Sequence, residues 1–354
     1  MGAKRVLVLG ATGAMGQYLV PILADMGHDV TAVALDQKSS DRPNVHYIAV
    51  KNAKEMAEYA RLLGGKYDGI VDFLIYPTGE LPWTVPNAAA STGHYIYLST
   101  YRIYANEEVP IKETSPRLID TSPDVILRNS DDYCIYKARG ENILRSLPSR
   151  NWTIVRPAIT YSFMRYQLTT LEAFLTVARA FAGKQVAVPV QARDCQATMS
   201  WGGDVAMMLA RLLFNDKALG ETFTVSTSEH HTWGQIAEYY RDICNLQAVW
   251  VDKEDYLRIF NGGQWDRGAR WQLEYDRLFE RVIDNSKVLA ATGMRQTDLK
   301  KLHDGLKYEI GRCPRDAWEN CQSEYTRLLN QRMDECLAGN GVRQPQPPPS
   351  TDLP

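Results

Sequence analysis

Lys4–Gly16 reads KRVLVLGATGAMG, and the fold follows from how that stretch is read. Lys4 to Leu9 is a short run rich in strand formers. A turn carrying Gly10, Gly13 and Gly16 follows directly, and Met15 to Met26 then has a helical pattern that stops near Gly27. A strand, a GxxGxxG turn and a helix in that order make a dinucleotide-binding unit. Gly10 allows the tight turn, Gly13 lets backbone approach a pyrophosphate, and Gly16 allows helix and strand to pack closely. The helix N-terminus brings amide donors and the positive end of its dipole to the phosphates. Thr12, Ala14 and Met15 complete the candidate loop. Asp36 closes the second strand, 20 residues after Gly16, where a carboxylate holds the adenosine ribose hydroxyls. It repels a 2′-phosphate, so NAD is expected over NADP. Lys38 and Arg42 lie close enough in sequence to soften that preference.

The same alternation runs outward. Asp29 to Leu35, Val45 to Val50, Gly69 to Ile75, His94 to Ser99 and Trp152 to Val155 read as strands. Ala53 to Leu63, stopped by Gly64 and Gly65, and Tyr133 to Leu147 read as helices. Near-continuous apolar strands alternating with helices predict an α/β, Rossmann-like, doubly wound parallel sheet covered on both faces. Past Arg156–Tyr161 the rhythm becomes mixed α/β. Helices are expected over Leu168 to Ala182, Asp204 to Leu213, Trp233 to Asn245 and Asp255 to Phe260, and strands over Gln185 to Val190 and Thr222 to Ser226. The expected organisation is an NAD-binding domain over 1–160, to which 191–215 returns, and a smaller substrate lobe over 161–190 and 216–340. A Pro-rich tail, polyproline-like or disordered, covers 341–354.

Composition sets the outer limits. The 354 residues are 45% hydrophobic and 23% charged, enough to bury a sizeable core. Forty basic and 42 acidic residues leave a net charge of −2, which argues against a nucleic-acid or anionic-membrane surface. No apolar run reaches the roughly 20 residues of a bilayer span. Val6 to Leu9 is too short for a signal-peptide core, so a cytoplasmic protein is expected. The six cysteines contain no CxxC pair and the six histidines no HxxxH or HExxH spacing. Neither a disulfide framework nor a metal site is expected.

Further along, Ser99–Ala105 reads STYRIYA, Tyr133–Lys137 YCIYK, Arg156–Tyr161 RPAITY, Gly203–Ala206 GDVA and Asp284–Lys287 DNSK. With GATGAMG, this ordered set resembles the extended short-chain dehydrogenase/reductase family, the NAD-dependent sugar-nucleotide epimerases and dehydratases. That family's landmarks are GxxGxxG, SSxxVYG, YxxxK and RPxNVYG. The resemblance spans most of residues 1–310. It implies Tyr133, Lys137 and Thr100 as the catalytic set. It implies NAD as cofactor, with Leu74, Ser99, Tyr133, Lys137 and Pro157 joining the glycine turn and Asp36 around it. It also implies a homodimer built on the Tyr133–Leu147 helix and the Leu81–Thr92 segment, although Pro82 and Pro86 interrupt the latter.

The chemistry of these residues agrees. A hydroxyl that is oxidised by hydride loss must also lose a proton. A tyrosine with a pKa of about 10 is a poor base at neutral pH. A lysine at i+4 shares its helix face and favours the phenolate. The resemblance implies that Thr100 hydrogen-bonds the reacting oxygen. Tyr136 faces elsewhere on the helix and reads as packing.

Departures from the family pattern narrow the choice. Tyr101 and Arg102 stand where dehydratases carry an Asp-Glu pair, so a dehydratase is disfavoured, and the glutamate of decarboxylases is absent too. Ile159 and Ser162 replace the asparagine and the glycine of RPxNVYG. Lys51 and Asn52 fall where an acidic adenine contact belongs, and Tyr76-Pro77 replaces a small-residue turn. Substrate contacts are expected from Tyr76, Tyr101, Tyr161, Arg193 and Arg270. Arg165 is a further candidate for a phosphate clamp, and Trp201, Trp265 and Trp271 are candidates for stacking. The leading expectation is an epimerase of a nucleotide-linked sugar. The alternatives are a net NAD(P)-dependent dehydrogenase or reductase on another small carbinol or ketone, and a non-catalytic dinucleotide-binding or RNA-associated protein.

Overall fold

The computed structural model describes residues 2–264, 267–318 and 323–339. The Pro-rich tail, Trp265 and Cys321 lie outside the described residues. RVLVL forms β1 (Arg5–Leu9), buried at every position after Arg5. Such a strand has no solvent face, so it sits at the centre of a sheet covered on both sides. The chain continues through α1 (Gly16–Asp25), β2 (Asp29–Ala34), β3 (Val45–Ala49), α2 (Met56–Leu63), β4 (Tyr67–Asp72), α3 (Leu81–Ala90) and β5 (Thr92–Leu98). Two short helices follow, α4 (Leu118–Thr121) and α5 (Val125–Asn129), then α6 (Tyr133–Ser146), β6 (Trp152–Val155) and β7 (Ile159–Tyr161).

The central sheet has seven strands in the order Glu221–Phe223, β6, β5, β4, β1, β2, β3. Every pair in it is parallel. The order reverses direction between β1 and β4, the switch point where doubly wound sheets bind ligands at their carboxyl ends. One core joins the sheet to α1 and to the helices Gly202–Leu212 and Ser286–Thr292. The other joins it to α2, α3 and α6. This is the Rossmann-like, doubly wound sheet; β7 pairs in parallel with Met199–Trp201 in a smaller sheet beside it.

The chain divides into two compact units. Of the described residues, the first comprises those in 2–165, Gln196–His231 and Phe279–Gly311, and the second those in Tyr166–Cys195, in Thr232–Leu278 and from 312 onward. These boundaries differ from those expected. Residues 216–231 join the first unit because Glu221–Phe223 pairs with β6. Residues 279–311 do so because Val288 and its helix pack into the α1 core. Residues 191–195 belong to the second unit. Within that unit, Gln185–Pro189 and Gln247–Val251 pair in parallel.

Two helix expectations also need correction. Leu168 to Ala182 is not one helix. Leu168 and Leu171 form an antiparallel bridge around Thr169, whose φ is +54°, and only Ala173–Leu175 and Val177–Phe181 are helical. The hydroxyls of Thr169 and Thr170 both bond the Tyr256 hydroxyl, at 3.0 and 2.6 Å, which holds the loop open. By contrast, α3 forms despite Pro82 and Pro86. Pro82 lies in the first turn, where no amide partner is lost. Burial of Leu81, Val85, Ala88 and Ala89 holds the rest. Among the described residues no helix is long and apolar enough to cross a membrane.

Candidate functional site

The glycine turn shows why glycine stands at each position. Gly10 has φ +78°, and a Cβ there would lie 3.1 Å from Phe73 Cβ. The amides of Gly10 and Ala11 both donate to Val33 O, at 3.1 and 2.8 Å, which ties the turn to β2. Gly13 is exposed and would meet only Gly10 O, at 3.4 Å, so its outer face is open. A Cβ on Gly16 would stand 2.6 Å from both C and O of Ala11. The close approach is thus to the turn's own backbone. Sequence reading missed Gly202, whose Cβ would lie 2.5 Å from Ala14 O; the glycine pair in WGGDVA was its signal.

Met15 caps α1 without a side-chain bond, and the first-turn amides of Gln17 and Tyr18 donate to Gly13 O and Met15 O, both at 3.1 Å. Asp36 is exposed just beyond β2. Arg42 pairs with Asp25, and the Lys38 ammonium lies 5.4 Å from the Tyr47 ring centroid, so both neighbouring cations are engaged. An open turn at a helix start and an exposed carboxylate fit the pyrophosphate and ribose of a dinucleotide.

The second cluster forms where β5 ends and α6 begins. Asp132 caps α6 by accepting from the Cys134 amide at 3.0 Å. Tyr133 is the first residue of α6, and Lys137 is one turn on. The Lys137 side chain is 1% exposed, and Nζ donates to Leu98 O at 2.6 Å and to Leu74 O at 3.4 Å. Burial pulls its ammonium down to about 8, with Asp72 acting against that. Thr100 is buried at the end of β5; its hydroxyl faces the Tyr133 phenol and accepts from the Arg102 amide at 3.2 Å. Tyr133, Lys137, Thr100, Ser99 and Leu74 therefore come together, and the Pro157 carbonyl accepts from the Tyr101 amide at 3.0 Å beside them.

The electrostatics differ from the sequence expectation. Burial raises the Tyr133 phenol above its ordinary value; Arg102, then Arg165, then the Thr100 hydroxyl pull it back. Lys137 lies 5.9 Å from the Tyr133 ring centroid. The Arg102 guanidinium is 5.4 Å from that centroid and bonds Asp132 at 3.4 Å. Arg102 is a functional candidate that sequence reading saw only as a missing acid. Tyr136 packs in the core, edge-on to Tyr133 at 5.5 Å.

A buried ion pair anchors α6. Glu141 is fully buried and accepts from Arg156 at 2.8 and 2.6 Å. Arg156 Nη1 also donates to Tyr104 Oη at 2.9 Å and Glu113 O at 3.0 Å.

The expected substrate residues have other surroundings. Tyr76 is 1% exposed and donates to Asp72 at 2.9 Å, a core position and not a pocket wall. Tyr161 is wholly buried; a Cβ on Gly305 would stand 1.8 Å from its hydroxyl, so that side chain is enclosed. Tyr101 is buried with the Arg281 guanidinium 5.1 Å from its ring centroid. In the second unit, Arg270 is held by Glu254 at 2.8 and 2.5 Å and by Glu274 at 2.9 Å, which occupies its fork. Arg193 is exposed, 5.7 Å from the Trp250 ring centroid. Arg165 is exposed in the first unit and acts on Tyr133. Trp201 donates to Glu309 at 2.6 Å, and Trp271 is half-buried on a short helix.

Comparison with known proteins agrees with this layout. The sequence model of a family described as the NAD dependent epimerase/dehydratase family matches residues 6–225. A curated relative from Arabidopsis thaliana, the chloroplast stem-loop binding protein of 41 kDa b, is 23% identical over 329 residues, covering 87% of this chain and 80% of its own. The solved UDP-glucose 4-epimerase of Thermus thermophilus, in complex with NAD, superposes with a TM-score of 0.62 at 18% identity, over 90% of this chain and 100% of its own. An epimerase from Methanothermobacter thermautotrophicus does so with a TM-score of 0.64 at 12% identity, over 95% of each chain.

Proposed function

This chain belongs to the NAD-dependent epimerase/dehydratase family, and within it we propose an NAD-dependent epimerase of a nucleotide-linked sugar. One observation carries the reading: Tyr133, Thr100 and Lys137 cluster at the end of β5, while Tyr101 and Arg102 hold the positions where an eliminating enzyme needs carboxylates. Epimerisation needs a base and a returned proton at one oxygen, and no acid for a leaving hydroxyl.

The glycine turn, Asp36, Lys137 and Leu74 would hold the dinucleotide. When bound, the dinucleotide would supply a hydride acceptor and donor for the ring carbinol. The chain's own residues handle the proton. The Thr100 hydroxyl hydrogen-bonds the reacting oxygen and orients it toward Tyr133. The Tyr133 phenolate takes the hydroxyl proton as the carbinol becomes a ketone. After the keto sugar presents its other face, Tyr133 gives that proton back to the same oxygen. Arg102 and Arg165 act against the burial that raises the Tyr133 phenol, and so favour the phenolate that begins the cycle.

The test uses purified protein. An epimerase retains NAD and turns over nucleotide sugar with no added cofactor. Stoichiometric consumption of added NAD(P) instead identifies a net dehydrogenase or reductase, the reading that Ile159 in place of the family asparagine supports. The name of the Arabidopsis relative supports a third reading, RNA association. The net charge of −2 argues against it, and binding of a stem-loop RNA with no turnover of any carbinol would favour it.

A further inference from the structure

The proposed chemistry leaves one buried charge unused. Asp72 ends β4, is 2% exposed and is the charged residue of the otherwise apolar run GIVDFLI. Its Oδ2 accepts from Tyr76 Oη at 2.9 Å and from Tyr95 Oη at 3.0 Å. Its Oδ1 accepts from the Leu74 amide at 2.9 Å. Tyr59, from α2, stands edge-on to Tyr76 at 5.9 Å. Lys137, from α6, is the cation that acts on it; burial raises the Asp72 carboxyl above its ordinary value, and the Leu74 amide, Tyr76, Lys137 and Tyr95 act against that.

The Leu74 peptide is bonded at both ends. Its N–H points to Asp72, and its carbonyl accepts from Lys137 Nζ at 3.4 Å. A buried ammonium loses its proton unless something compensates for the lost water. Two carbonyls supply dipoles here, the Tyr97 and Tyr133 rings face the ammonium with centroids at 5.3 and 5.9 Å, and Asp72 supplies the opposite charge. We propose that Asp72 is a positioning residue for Lys137: it provides the buried counter-charge for the ammonium and, through the Leu74 peptide, fixes one of the carbonyls that hold it. The Tyr76 and Tyr95 hydroxyls favour the ionised carboxylate against the burial that raises it. Lys137's place near the nicotinamide ribose belongs to the proposed function, but the pairing can be tested without it.

The test is an NMR titration of the full cofactor-free chain labelled with 13C-lysine, the Lys137 signal being assigned by its loss in Lys137→Met. The wild-type midpoint is expected at about 8. Asp72→Asn keeps an acceptor for the Leu74 amide and removes the charge, so the midpoint falls by about one unit, a tenfold change. An unchanged or raised midpoint overturns the proposal. If Asp72→Asn does not fold, Tyr76→Phe with Tyr95→Phe moves the midpoint down by a smaller amount, and no movement there also overturns it. NAD binding by calorimetry adds a second readout: the variant loses more affinity than wild type between pH 6.5 and pH 8. A protein that epimerises no nucleotide sugar yet shows both shifts refutes the proposed function and leaves this inference standing.

Discussion

Glu141→Gln should destabilise the first unit more than any surface change. Glu141 takes two bonds from Arg156, at 2.8 and 2.6 Å, and also faces Arg117 at 3.3 Å and Arg145 at 3.5 Å. Arg156 is itself 1% exposed. Glutamine fills the space but leaves that guanidinium without its charge partner, and breaking a buried pair from one side costs about 3–5 kcal/mol. At roughly 2–4 °C per kcal/mol, the melting temperature falls by about 6–20 °C. Urea melts of Glu141→Gln, of Arg156→Met and of Glu141→Leu with Arg156→Met form the assay. The double variant should recover much of the loss, since neither charge is then stranded. The pair also has a pH signature. Burial pushes the Glu141 carboxyl up, but Arg156, Ser99 and Arg145 together hold it below its ordinary value. A lowered folded-state pKa means the stabilisation is present above the unfolded-state value near 4.5 and disappears as pH falls toward the folded one. A cost below about 1 kcal/mol for Glu141→Gln, against the expected range, or a double variant as damaged as the two singles combined, would refute this reasoning.

Two further outcomes are expected. Arg102→Gln removes the cation that most favours the Tyr133 phenolate, so the acidic limb of the pH–rate profile should move to higher pH by about one unit, with NAD affinity little changed; a limb that does not move removes Arg102 from the mechanism. Gly16→Val drives carbon into Ala11 backbone that lies 2.6 Å from the first added atom. It should weaken NAD binding at least tenfold, about 1.4 kcal/mol, as measured by calorimetry; unchanged affinity would mean that the turn is not the pyrophosphate site.

The frame was legible because its signals are local. A buried parallel strand, a glycine turn and a helix start leave their marks within KRVLVLGATGAMG, and the sheet then follows from repetition. That Tyr133, Lys137 and Thr100 come together was legible in the motifs, and their neighbours were less so. Tyr76 reads as a pocket residue because it follows a strand end, yet its hydroxyl is committed to Asp72. Arg270 reads as a phosphate clamp, yet Glu274 sits at i+4 on its own helical turn and Glu254 meets it from another helix. The first of those partners was visible in the spacing; the second was not. Arg102 and Arg165 act on Tyr133 from 31 residues before it and 32 after it, a relation no periodicity encodes. Asp72 could have been noticed, because a carboxylate inside an apolar strand needs partners. The unit boundaries were misplaced because Glu221–Phe223 and Ser286–Thr292 return to the sheet from far along the chain.

In the proposed cycle Tyr133 carries the proton at a carbinol beside bound NAD. Tyr133→Phe removes one hydroxyl and keeps the ring that packs against Tyr136. Nucleotide-sugar turnover and NAD affinity should be measured on the same preparation. The expected result is NAD affinity within about twofold of wild type, with turnover lower by at least roughly a hundredfold. Unchanged turnover would contradict the account.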